Sequence, residues 1–327
     1  MTEVSAVDTR GVAGVGLTAL LVAAARAIEA TRPDALARDE YAACFIRAVP
    51  ACADWPLSLD EVPDGDADPL WGHLGRFFGL RTRVFDDFLL RAAGAGNRQV
   101  VLFGAGLDTR AHRLPWPDGC TVFEVDRPEV LAFKQSVLDC LVGVDGVDGL
   151  DDKPRTERVV VGSDLRDDWA AKLVAAGFDP SLPTAWIAEG LIPYLSPAAE
   201  LDLVSVIHAY SRPGSVFAYE IKQGVDPTRQ QDFAVYAAAR ERLGIDLLSL
   251  LSDEQHPDSA AALAGRGWST ATGTPFDFTR RHGRGPHPTH NDALAANRWI
   301  FAALDTELPV SVLPLPALPG TEGLAAG

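Results

Sequence analysis

The chain has 327 residues, 47% of them apolar and 23% charged, the balance of a globular protein with room for one large α/β domain plus additions, or for two domains. Twenty-nine basic against 45 acidic residues leave a formal net charge of −16, which disfavours nucleic acid or an anionic membrane surface as partner, because both demand basic patches. Cys44, Cys52, Cys120 and Cys140 stand apart without a CxxC pair, which argues against a zinc ribbon and a disulfide scaffold and fits a reducing cytoplasm.

The first apolar run, Gly11 to Ile28, follows a leader with more acid than base and contains Arg26 near its end. That pattern fits a buried helix better than a secretion signal or a membrane span. Its periodic part runs from Leu17 to Glu29, with Pro33 and Asp34 closing it. A second helix is expected over Asp39 to Val49, packed through Tyr41, Phe45 and Ile46. Asp60 to Asp68 is an acidic loop. Its Asp64, Asp66 and Asp68 mimic the opening of a calcium loop, but Pro69 and Gly75 stand where glycine and a bidentate glutamate are required, so calcium is rejected. Helical spacing returns over Arg81 to Leu90, with Val84, Phe85, Phe88 and Leu89 on the core face.

Five β-rich runs follow, separated by helix-length segments: Gln99 to Phe103, Thr121 to Val125, Arg158 to Gly162, Thr184 to Ala188 and Val216 to Glu220. Alternation of this kind implies βαβ units and an α/β fold with a mostly parallel sheet covered on both faces. Asp145 to Asp152 is expected to be a surface connection, and Phe233 to Leu251 one or two inserted helices. Gly267 to Ala271 and Asn297 to Ala303 suit an edge hairpin. Prolines after Leu308 suggest a loosely held tail. The division expected is a helical cap over residues 1–95 belonging to the same domain, a core over 96–308 with a helical insertion near 226–265, and a flexible tail over 309–327.

The stretch most suggestive of chemistry is Gln99 to Arg113, QVVLFGAGLDTRAHR, where a buried strand runs into Gly104-Ala105-Gly106. Bare backbone there lets a ligand approach closely. Dinucleotides, S-adenosylmethionine and plain tight turns all use such a bend. Thr109 replaces the third glycine of a dinucleotide fingerprint, and Asp108 would repel a pyrophosphate. Both facts lower the rival reading as an NAD-dependent oxidoreductase. Acids then end three strands. Asp126 closes the second, clear of the sheet edge where Glu124 is not, and can accept from ribose hydroxyls or cap the helix near Pro128. Asp164, followed by Leu165, suits an adenine amino group and ring, or a helix N-cap shared with Asp167 and Asp168. Glu189 ends the fourth strand and suits an ammonium group. With acids at three strand ends and no basic residue at any, the expected ligand has a cationic end and no phosphate.

LFGAGLDTRAHRL, FEVDRPEVLAFK, VGSDLRDDW and AEGLIPYL, in that order, resemble the leucine carboxyl methyltransferase family, which includes bacterial polyketide carboxyl methyltransferases; the likeness covers about residues 15–222. The resemblance implies a class I methyltransferase fold, Rossmann-like, with a mostly parallel seven-stranded sheet. It also implies S-adenosyl-L-methionine as methyl donor and S-adenosyl-L-homocysteine as product. Carried over by position, Arg81 holds the donor's carboxylate and Gly104, Ala105 and Gly106 line it. Asp126 takes the ribose, Asp164 and Leu165 the adenine, and Glu189 the amino group. His112 stands where relatives often have Tyr, and Pro193 where they often have Met.

The expected activity is O-methylation of a carboxylate on a small polyketide-like or other secondary-metabolite acceptor. An acidic acceptor needs a local positive group, for which Arg110, Arg113 and the Arg280-Arg281-His282 cluster are candidates. A phenolic or alcoholic acceptor would instead need a base, with His112 the natural choice. Tyr194 could hydrogen-bond either acceptor. His282, His287 and His290 sit among Gly and Pro without helical spacing, so no metal is expected. The protein is expected to be a monomer or homodimer with no nucleic-acid or membrane partner.

Overall fold

A computed structural model describes residues 15–141, 150, 153–223, 233–252, 254–288, 292–306 and 308. The sheet has the order β3-β2-β1-β4-β5-β7-β6. Its strands are β1 (Gln99–Phe103), β2 (Thr121–Asp126), β3 (Glu157–Gly162), β4 (Thr184–Ala188), β5 (Val216–Lys222), β6 (Trp268–Gly273) and β7 (Asn297–Leu304). The first five are parallel, and β7 runs antiparallel between β5 and β6. This is the α/β, mostly parallel seven-stranded architecture expected of a class I methyltransferase. Strand order reverses at β1, between β2 and β4, and open α/β sheets bind ligands at the carboxyl edge of such a switch point.

The strands were legible because both faces are covered. Val100, Leu102, Val122, Ala185, Ile187 and Phe301 pack into one apolar layer. Their neighbours Val101, Phe103, Phe123, Val125, Trp186 and Phe217 pack into the other. A strand buried on both sides reads as a continuous apolar run.

The helices framing the site are α1 (Val15–Ala30), α2 (Ala42–Arg47), α3 (Trp71–Gly94), α4 (Arg110–Arg113), α5 (Pro128–Asp139), α6 (Trp169–Ala175) and α7 (Pro197–Ala209). After β5 come α8 (Ala234–Leu243) and α9 (Ser259–Ala264), and between β6 and β7 lies α10 (Pro275–His282). Two expectations need correction. The second helix is shorter than read, ending at Arg47 before a 3₁₀ turn over Pro50–Cys52, because Pro50 has no N–H to continue it. Helix α3 starts ten residues earlier than its periodicity suggested. Phe85 and Phe88 lie 6.0 and 5.5 Å, ring to ring, from Phe301 of β7, so α3 covers one face of the sheet.

The acidic loop serves the helices around it. Asp68 accepts from the backbone N–H groups of Leu70 and Trp71 at the start of α3, and Asp66 pairs with Arg32 of the α1 turn. The connection expected over Asp145 to Asp152 lies, but for Leu150, outside the described residues, as does the tail over 309–327. Among the described residues no helix is long and apolar enough to cross a membrane.

Candidate active site

Strand β1 ends in a bend in which Gly104 and Gly106 take φ of +60° and +44°, values that side-chain-bearing residues rarely adopt. A Cβ on Gly104 would also lie 3.3 Å from Leu191 Cδ1. Ala105, buried between them, donates its N–H to Val125 O at 3.3 Å. The bend is tied to β2 by Asp126, whose Oδ2 accepts from Gly106 N at 2.6 Å and Oδ1 from Arg127 N at 2.7 Å. An ionised carboxylate has about four lone-pair sites, so each oxygen keeps capacity for a further donor such as a hydroxyl. Burial pushes the Asp126 carboxyl above its ordinary range, and the two backbone N–H groups work against that rise.

Asp164 follows β3 and accepts from the backbone and guanidinium of Arg166. These bonds hold its carboxyl down, at about 2. The N-cap of α6 is a different acid: Asp168 accepts from Ala171 N at 3.0 Å. Asp164 therefore remains free of capping duty at the carboxyl edge, and Leu165 after it is half-buried against the apolar layer that holds Val101, Phe103 and Phe123.

Behind the bend lies a buried chain of alternating charge. Arg81 donates from Nε to Glu189 Oε1 and from Nη1 to Glu220 Oε2, both at 2.8 Å. Glu189 Oε2 meets Arg110 Nη2 at 2.7 Å. Arg110 also pairs with Asp108 and Asp86, and Asp86 binds Arg113. Removing an ion from water costs several kcal/mol, which only close pairing offsets, and here every member has a partner. Burial pushes Glu189 up, but Arg110 and Arg81 overcome it and hold the carboxyl below its usual range. Asp108 is likewise penalised by burial and drawn by Arg110 to about 2. Along this chain four carboxylates (Glu220, Glu189, Asp108 and Asp86) face three guanidiniums (Arg81, Arg110 and Arg113), one negative charge in excess, with the Lys222 ammonium at the end of β5 outside it.

Beside Arg81 opens a cavity of about 120 Å³ with Leu21, Leu74, Phe77, Phe78, Val235 and Leu251 among its apolar walls. Pro193 and Tyr194 reach it from the turn after β4, and the Tyr194 hydroxyl hydrogen-bonds Thr18 of α1. Its polar wall also holds Lys222, Tyr236, His73 and Asn297. Lys222 Nζ donates to the Tyr236 hydroxyl at 2.6 Å.

Several sequence-derived candidates stand elsewhere. His112 is 2% exposed, its ring centroid 5.5 Å from that of Tyr41, and it is not part of the cavity wall. Burial, then the charges of Lys134 and Arg158, lower its pKa to about 4. Arg110 and Arg113 are spent on acids, and Arg280 pairs with Asp277 on α10, away from the cavity. His282 ends that helix and His290 lies outside the described residues. The expectation that no strand end carries a base is corrected by Lys222. Strand β5 runs two residues past the expected end, because it pairs with β7 as far as Lys222 opposite Asn297. Glu220 was missed with it, although an acid ending one more strand was the available signal.

The residues present fit a nucleoside with a net positive charge: bare backbone at the β1 bend, a carboxylate with spare lone pairs at Asp126, and a buried chain one negative charge in excess. A profile of leucine carboxyl methyltransferases matches residues 19–208. A candidate S-adenosyl-L-methionine-dependent methyltransferase of Streptomyces coelicolor is 57% identical over 290 residues, covering 88% of this chain and 93% of that protein. Another, of Saccharopolyspora erythraea, is 47% identical over 257 residues, covering 79% and 84%. The chain thus belongs to the leucine carboxyl methyltransferase family and is an S-adenosylmethionine-dependent methyltransferase.

Proposed function

We propose that the protein O-methylates a carboxylate on a small, largely apolar acceptor of the polyketide-like or other secondary-metabolite kind. The observation that supports this is the Lys222 ammonium on the wall of a mainly apolar cavity whose other described charged groups, Arg81 and Glu220, are paired with each other. In a protein of net charge −16, an anionic acceptor needs such a local counter-charge. Its small volume, about 120 Å³ under α1, α3 and the segment after β5, suits a small molecule better than a protein tail. Four unpaired cysteines fit a cytoplasmic setting.

In this reading Gly104, Ala105 and Gly106 line the donor, Asp126 takes its ribose hydroxyls, Asp164 and Leu165 its adenine and Glu189 its amino group. Arg81 has Nε and Nη1 committed to the two glutamates, so Nη2 is the end that would face the donor's carboxylate. When bound, the donor supplies a methyl group on a cationic sulfur for in-line attack by an acceptor oxygen. A carboxylate is already ionised at neutral pH, so the protein needs no base. Its own residues align the acceptor and exclude water, effects that together can reach about 7–11 kcal/mol. Ser252 N donates to Pro193 O at 2.8 Å, which ties the roof to the floor. The rival reading, a hydroxyl acceptor deprotonated by His112, loses its base because His112 does not reach the cavity.

The test is methyl-ester formation, followed by mass spectrometry, from a panel of carboxylic acids. Lys222→Met is expected to lower kcat/KM for any accepted acid by about 10- to 100-fold, the worth of a hydrogen bond to a charged group. Methyl ethers as the only products, or an unimpaired Lys222→Met, would contradict the proposal.

A further inference from the structure

Two buried polar atoms among the cavity-lining residues have no hydrogen-bond partner among the described residues: Asn297 Oδ1 and His73 Nε2. Asn297 is 3% exposed, and its orientation is fixed by chemistry. Its neighbour Glu220 can only accept when ionised, so the amide must turn Nδ2 toward Glu220 Oε1, at 2.7 Å, and carry Oδ1 away. A buried acceptor left unpaired is costly, so the position can take a donor from a bound ligand.

The setting narrows what that donor is. Asn297 stands directly opposite Lys222 in the antiparallel β5–β7 pair, and opposed side chains in such pairs share a face, with Cβ atoms about 4.5–5.5 Å apart. Lys222 spends one N–H on Tyr236 and, among the described residues, keeps two. One end of the cavity therefore offers ammonium protons beside an unfilled carbonyl oxygen. A bare carboxylate answers the first and is repelled by the second. An ammonium on the ligand would answer the second and be repelled by Lys222. A carboxylate with a hydroxyl one or two carbons away answers both. His73 adds a further polar contact from α3, beside the charge of Asp292; burial lowers its pKa, so the ring is neutral near pH 7 and Nε2 can accept or donate.

Resting on the carboxylate reading above, we infer that the acceptor is a hydroxy acid, its carboxylate at Lys222 and its hydroxyl given to Asn297 Oδ1, with His73 as second polar contact. The test uses protein saturated with S-adenosylhomocysteine and calorimetric titration of hydrocinnamate and of its α-hydroxy and β-hydroxy derivatives. One hydroxy acid is expected to bind at least about tenfold more tightly than hydrocinnamate. That ratio should fall to near one in Asn297→Ala, and several-fold in His73→Leu, which leaves the partners of Glu220 untouched. Three acids of equal affinity, all weakened by Lys222→Met, would overturn the hydroxy-acid inference and leave the carboxylate reading standing. A hydroxyl preference that survives while Lys222→Met changes nothing would sink the carboxylate reading instead. Binding of none of the three counts against both.

Discussion

Glu124 and Asp126 sit two residues apart on one face of β2, yet their surroundings give them opposite roles. Glu124 is sealed from solvent between Lys134 Nζ at 2.8 Å and Arg158 Nη2 at 2.7 Å, a structural cluster. Asp126 lies at the strand's end with spare lone pairs. His112 shows the same point for a base. Its folded pKa of about 4 lies below the ordinary 6.5, so the unfolded chain binds the extra proton between those values. The stability from keeping the ring neutral is complete above about pH 6.5 and is lost as the pH falls through about 4, by about 2 kcal/mol at pH 5. Denaturant midpoints at pH 7 and pH 5 should show this loss in the wild type and a smaller one in His112→Tyr, which removes the titrating ring. Equal losses in both would mean that His112 is protonated or solvated when folded. Asp126, Asp164 and Glu189 were legible because a strand end is visible in a sequence. The burial of His112 was not, since a four-residue helix gives no periodicity to assign it a face.

At the scale of elements, the error over the first ten residues of α3 has one cause. Gly72, Gly75 and Gly79 read as weak helix formers, but they are where other chain comes close. A Cβ on Gly72 would fall 2.3 Å from Gly65 O, and one on Gly79 would fall 2.5 Å from the buried Glu29 side chain of α1. Tertiary packing overrides propensity here. The consequence is a contrast between two substitutions in one helix. Alanine normally gains about 0.5–1 kcal/mol over glycine in a helix. Gly94→Ala, with open space around its Cβ, should collect some of that gain and raise Tm. Gly72→Ala must push against backbone and should lower Tm despite the better propensity. Thermal melts of both decide it, and a stabilised Gly72→Ala would mean that the α3 start lies farther from the Gly65 turn. The central strands β1, β2 and β4, by contrast, were readable nearly residue for residue because double-sided burial leaves an unbroken apolar run. The ends of β5 and β6 each run two residues further than expected; in β5 the last residues, Glu220-Ile221-Lys222, alternate in polarity where the chain leaves the core for the cavity.

For the molecule as a whole, strand order and charge act together. The parallel run of β1 to β5 brings their carboxyl ends to one edge of the sheet, and reversal of the order at β1 opens a crevice there, so acids far apart in the chain surround one region. The balance of the Arg81 chain, one negative charge in excess, could not be read from the sequence. It depends on Asp86 and Glu220, whose pairing is set by how α3 crosses the sheet. The most direct measurement of the central claim is calorimetric titration of S-adenosylhomocysteine into wild-type protein and Asp126→Ala, with circular dichroism confirming that both are folded. The geometry predicts saturable binding to the wild type and an affinity about 10- to 100-fold weaker in Asp126→Ala, the loss of hydrogen bonds to an ionised group. Equal affinity in the two proteins would place the nucleoside away from the end of β2 and contradict the account.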